Sequence, residues 1–188
     1  MRIKLLLVSL VTFCCMATTA FAQNRWGIMG GANLSTTSTE GFKWRAGGYI
    51  GGLYDIRLSD SWYIQPQLLF TYEENDSKDK TKVDAFFSQY ALTLPVLASF
   101  KVKLNNAFSM RINAGPYVQY ALFGNEGKYG EWWHHDFGEH FTYGLKGGVA
   151  LEHKHWFVSI DCKYSLRESS LNYGGHGMTL SAGIGYKF

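Results

Sequence analysis

The densest run of metal-ligating side chains in the sequence is Trp132-Trp133-His134-His135-Asp136-Phe137-Gly138-Glu139-His140. Three imidazoles beside Asp136 or Glu139 make a donor set suited to a transition metal. Their spacing matches no established ligand motif, so the simpler expectation is an aromatic-rich loop that packs on a rim or touches another surface. A second cluster, His176 with Ser169, Ser170 and Glu168, carries the residue types of a hydrolytic triad. A triad is defined by geometry and roles, which proximity in sequence does not supply. His153 and His155 flank a short polar turn and read as turn residues. Cys162 sits on an apolar stripe, and a reactive thiol needs an exposed setting that favours the thiolate. No catalytic, cofactor-binding or metal-ligating residue is assigned from these patterns.

The elements that carry these residues alternate with period two. Met178, Leu180, Ala182, Ile184, Tyr186 and Phe188 interleave with Thr179, Ser181, Gly183, Gly185 and Lys187. Trp156, Val158, Ile160, Cys162, Tyr164 and Leu166 interleave with Phe157, Ser159, Asp161, Lys163 and Ser165. A helix keeps neither stripe on one face, whereas a strand does. The same pattern recurs from Phe141 to Glu152, Phe108 to Tyr120, Tyr90 to Lys101 and Trp62 to Tyr72. Two Gly-rich segments, Arg25–Ser35 and Trp44–Leu58, repeat it less cleanly. This predicts eight strands. Short turns are expected at Ser59–Ser61, Leu104–Asn106 and His153–His155. Longer polar connections are expected at Thr36–Lys43, Glu74–Asp84, Phe123–Gly138 and Arg167–Gly175.

Composition agrees with an all-β chain. The 188 residues include 21 Gly, 3 Pro and 16% aromatics, a mixture that favours curved β-structure over helices. Residues 1–22 read as a secretory signal. Arg2 and Lys4 form a basic start, Leu5 to Met16 a short apolar run, and Ala20-Phe21-Ala22 an A-x-A cleavage site. Of the 18 basic residues two lie in that segment, leaving 16 against 15 acidic ones. Near-neutrality gives no support for nucleic-acid binding. Cys162 would be the sole cysteine of the mature chain, so no internal disulfide is expected.

After residue 22 no apolar run is long enough for a spanning helix. A membrane-embedded form would therefore be a closed barrel, in which every backbone group is satisfied without helices. Alternating short and long connections are the pattern of an outer-membrane barrel, with short turns in the periplasm and long loops outside. Aromatics mark both ends of the apolar face. Trp26, Trp62, Phe108 and Trp156 open the odd strands, while Tyr72, Tyr90, Tyr120, Tyr143 and Tyr164 lie toward the far rim, as two interfacial girdles would. A secreted barrel with an apolar interior would alternate equally well. Small residues and opposite charges on the second face favour a crowded polar lumen. Asp55, Glu152 and Asp161 are expected there with Arg57, Lys101, Arg111, Lys146, Lys163 and Lys187. The surplus of bases is expected at the periplasmic end, where it reaches water. Eight strands leave an interior only as wide as side chains, so no general diffusion pore is expected. Pro95 and Pro116, in mid-strand, are expected to mark a bulge or bend. Gly30, Gly48 and Gly52 face outward, where they permit curvature or form a flat patch.

Several stretches carry a more specific likeness. Leu92-Thr93-Leu94-Pro95-Val96-Leu97, Phe100-Lys101 and Ala114-Gly115-Pro116-Tyr117-Val118 resemble the PorT-like outer-membrane β-barrel domain of Bacteroidetes. Gly144-Leu145-Lys146-Gly147-Gly148-Val149 and Lys163-Tyr164-Ser165-Leu166 are similar to two further strands of that family, the latter lacking its usual Gly. The ending Gly185-Tyr186-Lys187-Phe188 is similar to the terminal assembly signal of such barrels. The resemblance implies an eight-stranded antiparallel up-and-down transmembrane β-barrel over residues 23–188, recognised by the barrel-assembly machinery through the strand ending at Phe188. Its expected surroundings are outer-membrane lipids and an envelope protein partner. Expected roles are a non-enzymatic structural or interaction barrel, an accessory subunit of a secretion or motility complex, or a small lipid-A-modifying enzyme.

Overall fold

The structure, a computed structural model, describes residues 25–38, 42–77, 86–126, 130–131, 140–167 and 176–188. Eight long strands follow one another: β1 (Arg25–Thr37), β2 (Arg45–Arg57), β3 (Trp62–Ser77), β4 (Phe86–Lys103), β5 (Phe108–Glu126), β6 (Phe141–His153), β7 (Trp156–Ser165) and β8 (Gly177–Lys187). Each pairs antiparallel with its sequence neighbours. β1 also pairs with β8, from Gly27↔Lys187 to Thr37↔Gly177, and the Phe188 amide donates to the Trp26 carbonyl at 2.8 Å. The sheet thus closes into the expected up-and-down barrel and leaves no long edge unpaired. Among the described residues no helix is long and apolar enough to cross a membrane.

Local chemistry sets the three short turns. The Asn105 side-chain oxygen accepts from the amides of Ala107 and Phe108, both at 2.8 Å, an Asx-type turn that feeds β5. Ser59 Oγ accepts from the Trp62 amide at 3.2 Å. Lys154 takes the left-handed backbone, φ 56°, that a two-residue hairpin between His153 and Trp156 demands.

The alternation resolves into an inverted protein. Ile160, Ile184, Val158 and Leu180 stand on the outer wall with many other large apolar side chains. Among the described residues, polar and charged side chains outnumber apolar ones in the interior, where Asp161, Lys187, Arg111 and Gln119 are buried. An exposed apolar surface of this extent is not tolerated by a soluble monomer, and it matches the lipid-facing band of a membrane barrel. The aromatics gather at its two rims. Trp26 stacks on Phe188 with ring centroids 4.0 Å apart, and Tyr186 meets Trp156 edge-on at 5.1 Å. At the opposite rim Tyr72, Tyr90 and Phe123 form a chain of rings spaced 4.7 Å apart.

Two features differ from the sequence reading. First, β3 and β5 run past the expected loop starts at Glu74 and Phe123, because their ladders with β4 continue through Asp76↔Phe86 and Phe87↔Glu126. At 16, 18 and 19 residues β3, β4 and β5 exceed the roughly 9–11 that a bilayer requires, so the sheet projects beyond the apolar band and the hydrophobic stripe ends before the strand does. Phe42–Lys43 and Gly130–Glu131 add short pairings to β3 and β5 on this projection. Second, the register shift lies at Tyr90/Ala91 rather than at a proline. The register is the same on both sides of Pro95, and Pro116 pairs with Leu145 in register. The missing amides interrupt hydrogen bonds without adding a residue. In keeping with the small residues of the polar face, glycines that sterics require face the lumen. A Cβ on Gly183 would lie 2.0 Å from Tyr49 Oη, and one on Gly185 would lie 2.3 Å from the Phe157 ring. On the outward Gly30, Gly48 and Gly52 the nearest contact is 3.3 Å or more.

The inversion predicts opposite responses on adjacent residues. Ile160→Arg, at the middle of β7 on the lipid wall, is expected to destabilise the folded barrel by about 2–4 kcal/mol, whereas Ser159→Ala, on the lumen wall, changes it by under about 1 kcal/mol. Reversible urea titration in lipid vesicles measures both. The parent barrel is also expected to migrate differently on detergent gels before and after boiling.

Candidate functional site: the charged lumen

Charged side chains cross the bore at three levels. Nearest the short turns, Asp55 on β2 faces Arg111 on β5, with Nη2 2.8 Å from Oδ2 and Nη1 2.9 Å from Oδ1. Lys187 on β8 lies 2.8 Å from the same carboxylate and also donates to Glu152 on β6. Glu152 is met by Arg111 Nε at 2.7 Å and by Lys101 on β4 at 2.6 Å. Gln65 Nε2 donates to Asp55 at 2.6 Å. Two rings line this tier, Tyr63 under the Arg111 guanidinium at 4.4 Å and Phe157 under the Lys187 ammonium at 5.1 Å.

At mid-height Lys146 on β6 donates to Gln67 on β3 at 3.0 Å and stands 3.9 Å from Asp161 on β7. Toward the other rim Glu73 on β3 pairs with Lys163 on β7. Glu73 also accepts from Gln89 at 3.1 Å, Gln119 at 3.2 Å and Thr179 at 3.3 Å. Lys163 donates to Gln119 at 2.6 Å. A buried carboxylate needs this many donors to offset its lost hydration.

Within these three tiers bases outnumber acids by one, and Lys101 keeps 21% of its side chain exposed. Lys101 thus meets water at the short-turn end, where the sequence reading placed the surplus. Among the described residues, small cavities along the bore have room for water centres of about 20, 20 and 10 Å³. That is space for about one or two water molecules each. Glu73 and Lys163 line the first two, Arg111, Asp161 and Lys187 the third.

The network contains every lumen charge expected from sequence except Arg57. That residue sits at the end of β2 and pairs with Asp60 in the adjoining turn, because β2 ends there and its side chain reaches solvent. Glu73 was not foreseen: it follows the last apolar residue counted on β3, yet it is 5% exposed and central to one tier. Its odd position, in phase with Gln65, Gln67 and Thr71, was the available signal.

The chemistry-bearing residues of the outer rim are only partly placed. His134, His135, Asp136 and Glu139 of the Trp132–His140 run, and the Ser169, Ser170 and Glu168 partners of His176, lie outside the described residues. His140 Nδ1 faces the Ala121 carbonyl at 3.2 Å, and His176 Nδ1 faces the Ser165 carbonyl at 3.0 Å. Among the described residues no group of three or more His, Cys, Asp or Glu is arranged to hold a metal. Cys162 lies on the outer wall opposite Leu180 and Gly147. His155 Nδ1 contacts the Lys187 carbonyl at 2.8 Å and its ring stacks on Tyr186, as a turn residue that braces the β8 end.

A closed eight-stranded sheet, greasy outside and ionic inside, defines the chain as a small transmembrane β-barrel of the bacterial outer membrane. The family model for the outer membrane protein beta-barrel domain matches residues 21–171, and the chain belongs to that family. Among solved structures it is similar to the outer membrane enzyme PagL, with TM-score 0.57, 11% identity, and 85% of this chain and 98% of that one covered. It is also similar to OprG of Pseudomonas aeruginosa (0.53, 13%, 88% and 96%) and to Neisserial surface protein A (0.52, 13%, 87% and 97%). At such identities the likeness is one of fold. No curated protein sequence matches the chain significantly.

Removing one acid from the short-turn tier strands buried cations. Glu152→Gln and Asp55→Asn are each expected to destabilise the barrel by about 3–5 kcal/mol. Replacing the pair Glu73→Gln with Lys163→Gln is expected to cost less than the two single changes added together, by about 1–3 kcal/mol. Urea titration of the five variants and the parent in vesicles checks both.

Proposed function

We propose that this protein is a non-enzymatic outer-membrane barrel whose role is structural or interactive, exercised through its extracellular connections rather than through its bore. The observation that carries the reading is the three-tiered ionic lumen, whose side chains cross the bore and, among the described residues, enclose small cavities that hold about one or two waters each. A solute pathway would need these braces withdrawn from the axis. Under this reading the short turns face the periplasm, and the long connections, including Trp132–His140, present polar and aromatic groups outside.

Residues 1–22 are the export signal in this reading, with Gln23 the mature N-terminus. The strand ending at Phe188 is the segment read by the barrel-assembly machinery; its aromatic end is outward-facing and stacked on Trp26. The PorT-like family of Bacteroidetes is the finer assignment, supported by the strand motifs around Pro95 and Pro116. An envelope protein partner contacting the outer connections accords with it, and nucleic acid is not among the partners.

The competing enzymatic reading places a Ser–His–acid set at the outer rim. What weighs against it is that His176 and His140 each turn Nδ1 toward a backbone carbonyl.

Two measurements test the proposal. Lipid A extracted from cells expressing the protein is expected to show an unchanged mass spectrum, and the purified barrel in planar bilayers to show no large steady conductance. Deacylated lipid A that reverts with His176→Ala would replace this reading with an enzymatic one. A stable wide channel would refute the sealed bore.

A further inference from the structure

The short-turn rim carries a collar of basic groups that the lumen network does not use. Arg25 opens β1, Lys103 closes β4 and Lys154 forms the β6–β7 turn, and all three are exposed. None of them takes part in an ion pair among the described residues. The acids of this end are already engaged: Asp60 with Arg57, and Asp55 and Glu152 with Arg111, Lys187 and Lys101. Among the described residues no further acidic side chain on this rim offsets the collar.

Its depth is set by its neighbours. Arg25 directly precedes Trp26, Lys154 stands two residues before Trp156, and Lys103 lies one residue before the exposed Leu104. Trp26, Trp62 and Trp156 are each about half exposed on the outer wall, where indole rings sit at the headgroup boundary. At about 3.3 Å per strand residue, the basic groups therefore lie a few ångströms beyond the ring layer. Turns of two to four residues protrude no further, so this rim ends within the headgroup layer. Long basic side chains at that depth extend their charged ends toward phosphate.

We propose that Arg25, Lys103 and Lys154 form a binding collar for anionic phospholipid headgroups of the inner, periplasmic leaflet. The proposal rests on the membrane placement argued above. It adds that the annulus at this rim discriminates among lipids by charge, through attraction worth roughly fivefold in affinity for each basic group engaged. Because the groups are exposed, salt weakens the preference, the screening length being about 10 Å at 0.1 M.

Tryptophan quenching by brominated lipids measures it. With Trp44, Trp132 and Trp133 replaced by Phe, the reporters are Trp26, Trp62 and Trp156, all on the collar side. In vesicles at low salt, brominated phosphatidylglycerol is expected to quench several-fold more effectively than brominated phosphatidylcholine. The preference is expected to fall toward unity in R25Q/K103Q/K154Q and at 0.5 M salt. A heat-dependent gel shift reports separately whether each variant is a folded barrel. Its loss in the parent would refute the barrel reading itself rather than the collar. If the triple variant does not fold, Lys154→Gln alone, outside every strand, is expected to lose part of the preference. Equal quenching by the two lipids in the folded parent, or an undiminished preference in folded R25Q/K103Q/K154Q, overturns the proposal. So does a collar that shows no lipid preference and instead retains the protein on anionic cell-wall sacculi.

Discussion

Everything in this molecule follows from the pairing of β1 with β8. Within hydrocarbon an unpaired amide or carbonyl costs several kcal/mol, so a sheet of seven paired seams and two free edges would not be stable there. Eleven residue pairs, from Gly27↔Lys187 to Thr37↔Gly177, close that seam. Closure also fixes which face is inside. Once the sheet is shut, a side chain on the wrong parity has nowhere to go, and a one-residue slip would turn each lysine and carboxylate of a strand into lipid.

Closure creates a second problem, which the interior solves. The bore of eight strands is too narrow for bulk water to hydrate the charges on its walls. They must therefore satisfy one another across it. Asp55 and Glu152 share Arg111, Lys187 and Lys101, while Glu73 collects Lys163, Gln89, Gln119 and Thr179. Several of these links, Arg111 with Asp55 and Lys163 with Glu73 among them, join strands that are not neighbours in the sheet, so the interior charges brace the wall across the bore as well as neutralising each other. Room for the bulky rings that flank these ions comes from glycine: Gly183 admits Tyr49, and Gly185 admits Phe157.

The outer wall divides the work differently. Its middle is aliphatic, its rims aromatic, and the β3–β5 side extends past the bilayer as an unusually long ladder. The opposite rim ends in short turns close to its aromatic layer. The two rims therefore present unlike surfaces, an extended ladder on one side and short turns on the other.

The period-two stripes, the short turns and the aromatic ends were legible in the sequence because each is a local pattern: side chains alternate along a strand whatever its neighbours. They determined eight strands, their parity, and the near-complete membership of the lumen. Three matters were decided only by tertiary pairing. The true ends of β3 and β5 depend on a partner strand continuing beside them, since hydrogen bonding persists after the hydrophobic stripe has stopped. The extra residue, Leu122 opposite Tyr90/Ala91, is a relation between two strands and leaves no mark as clear as proline, which proved not to be the bulge. Which acid meets which base is set by strand stagger around a closed wall, and so Glu73 found Lys163 and Arg57 turned to Asp60. Sequence alone thus defines an inverted barrel, while the partners of each charge exist only once the wall has closed around them.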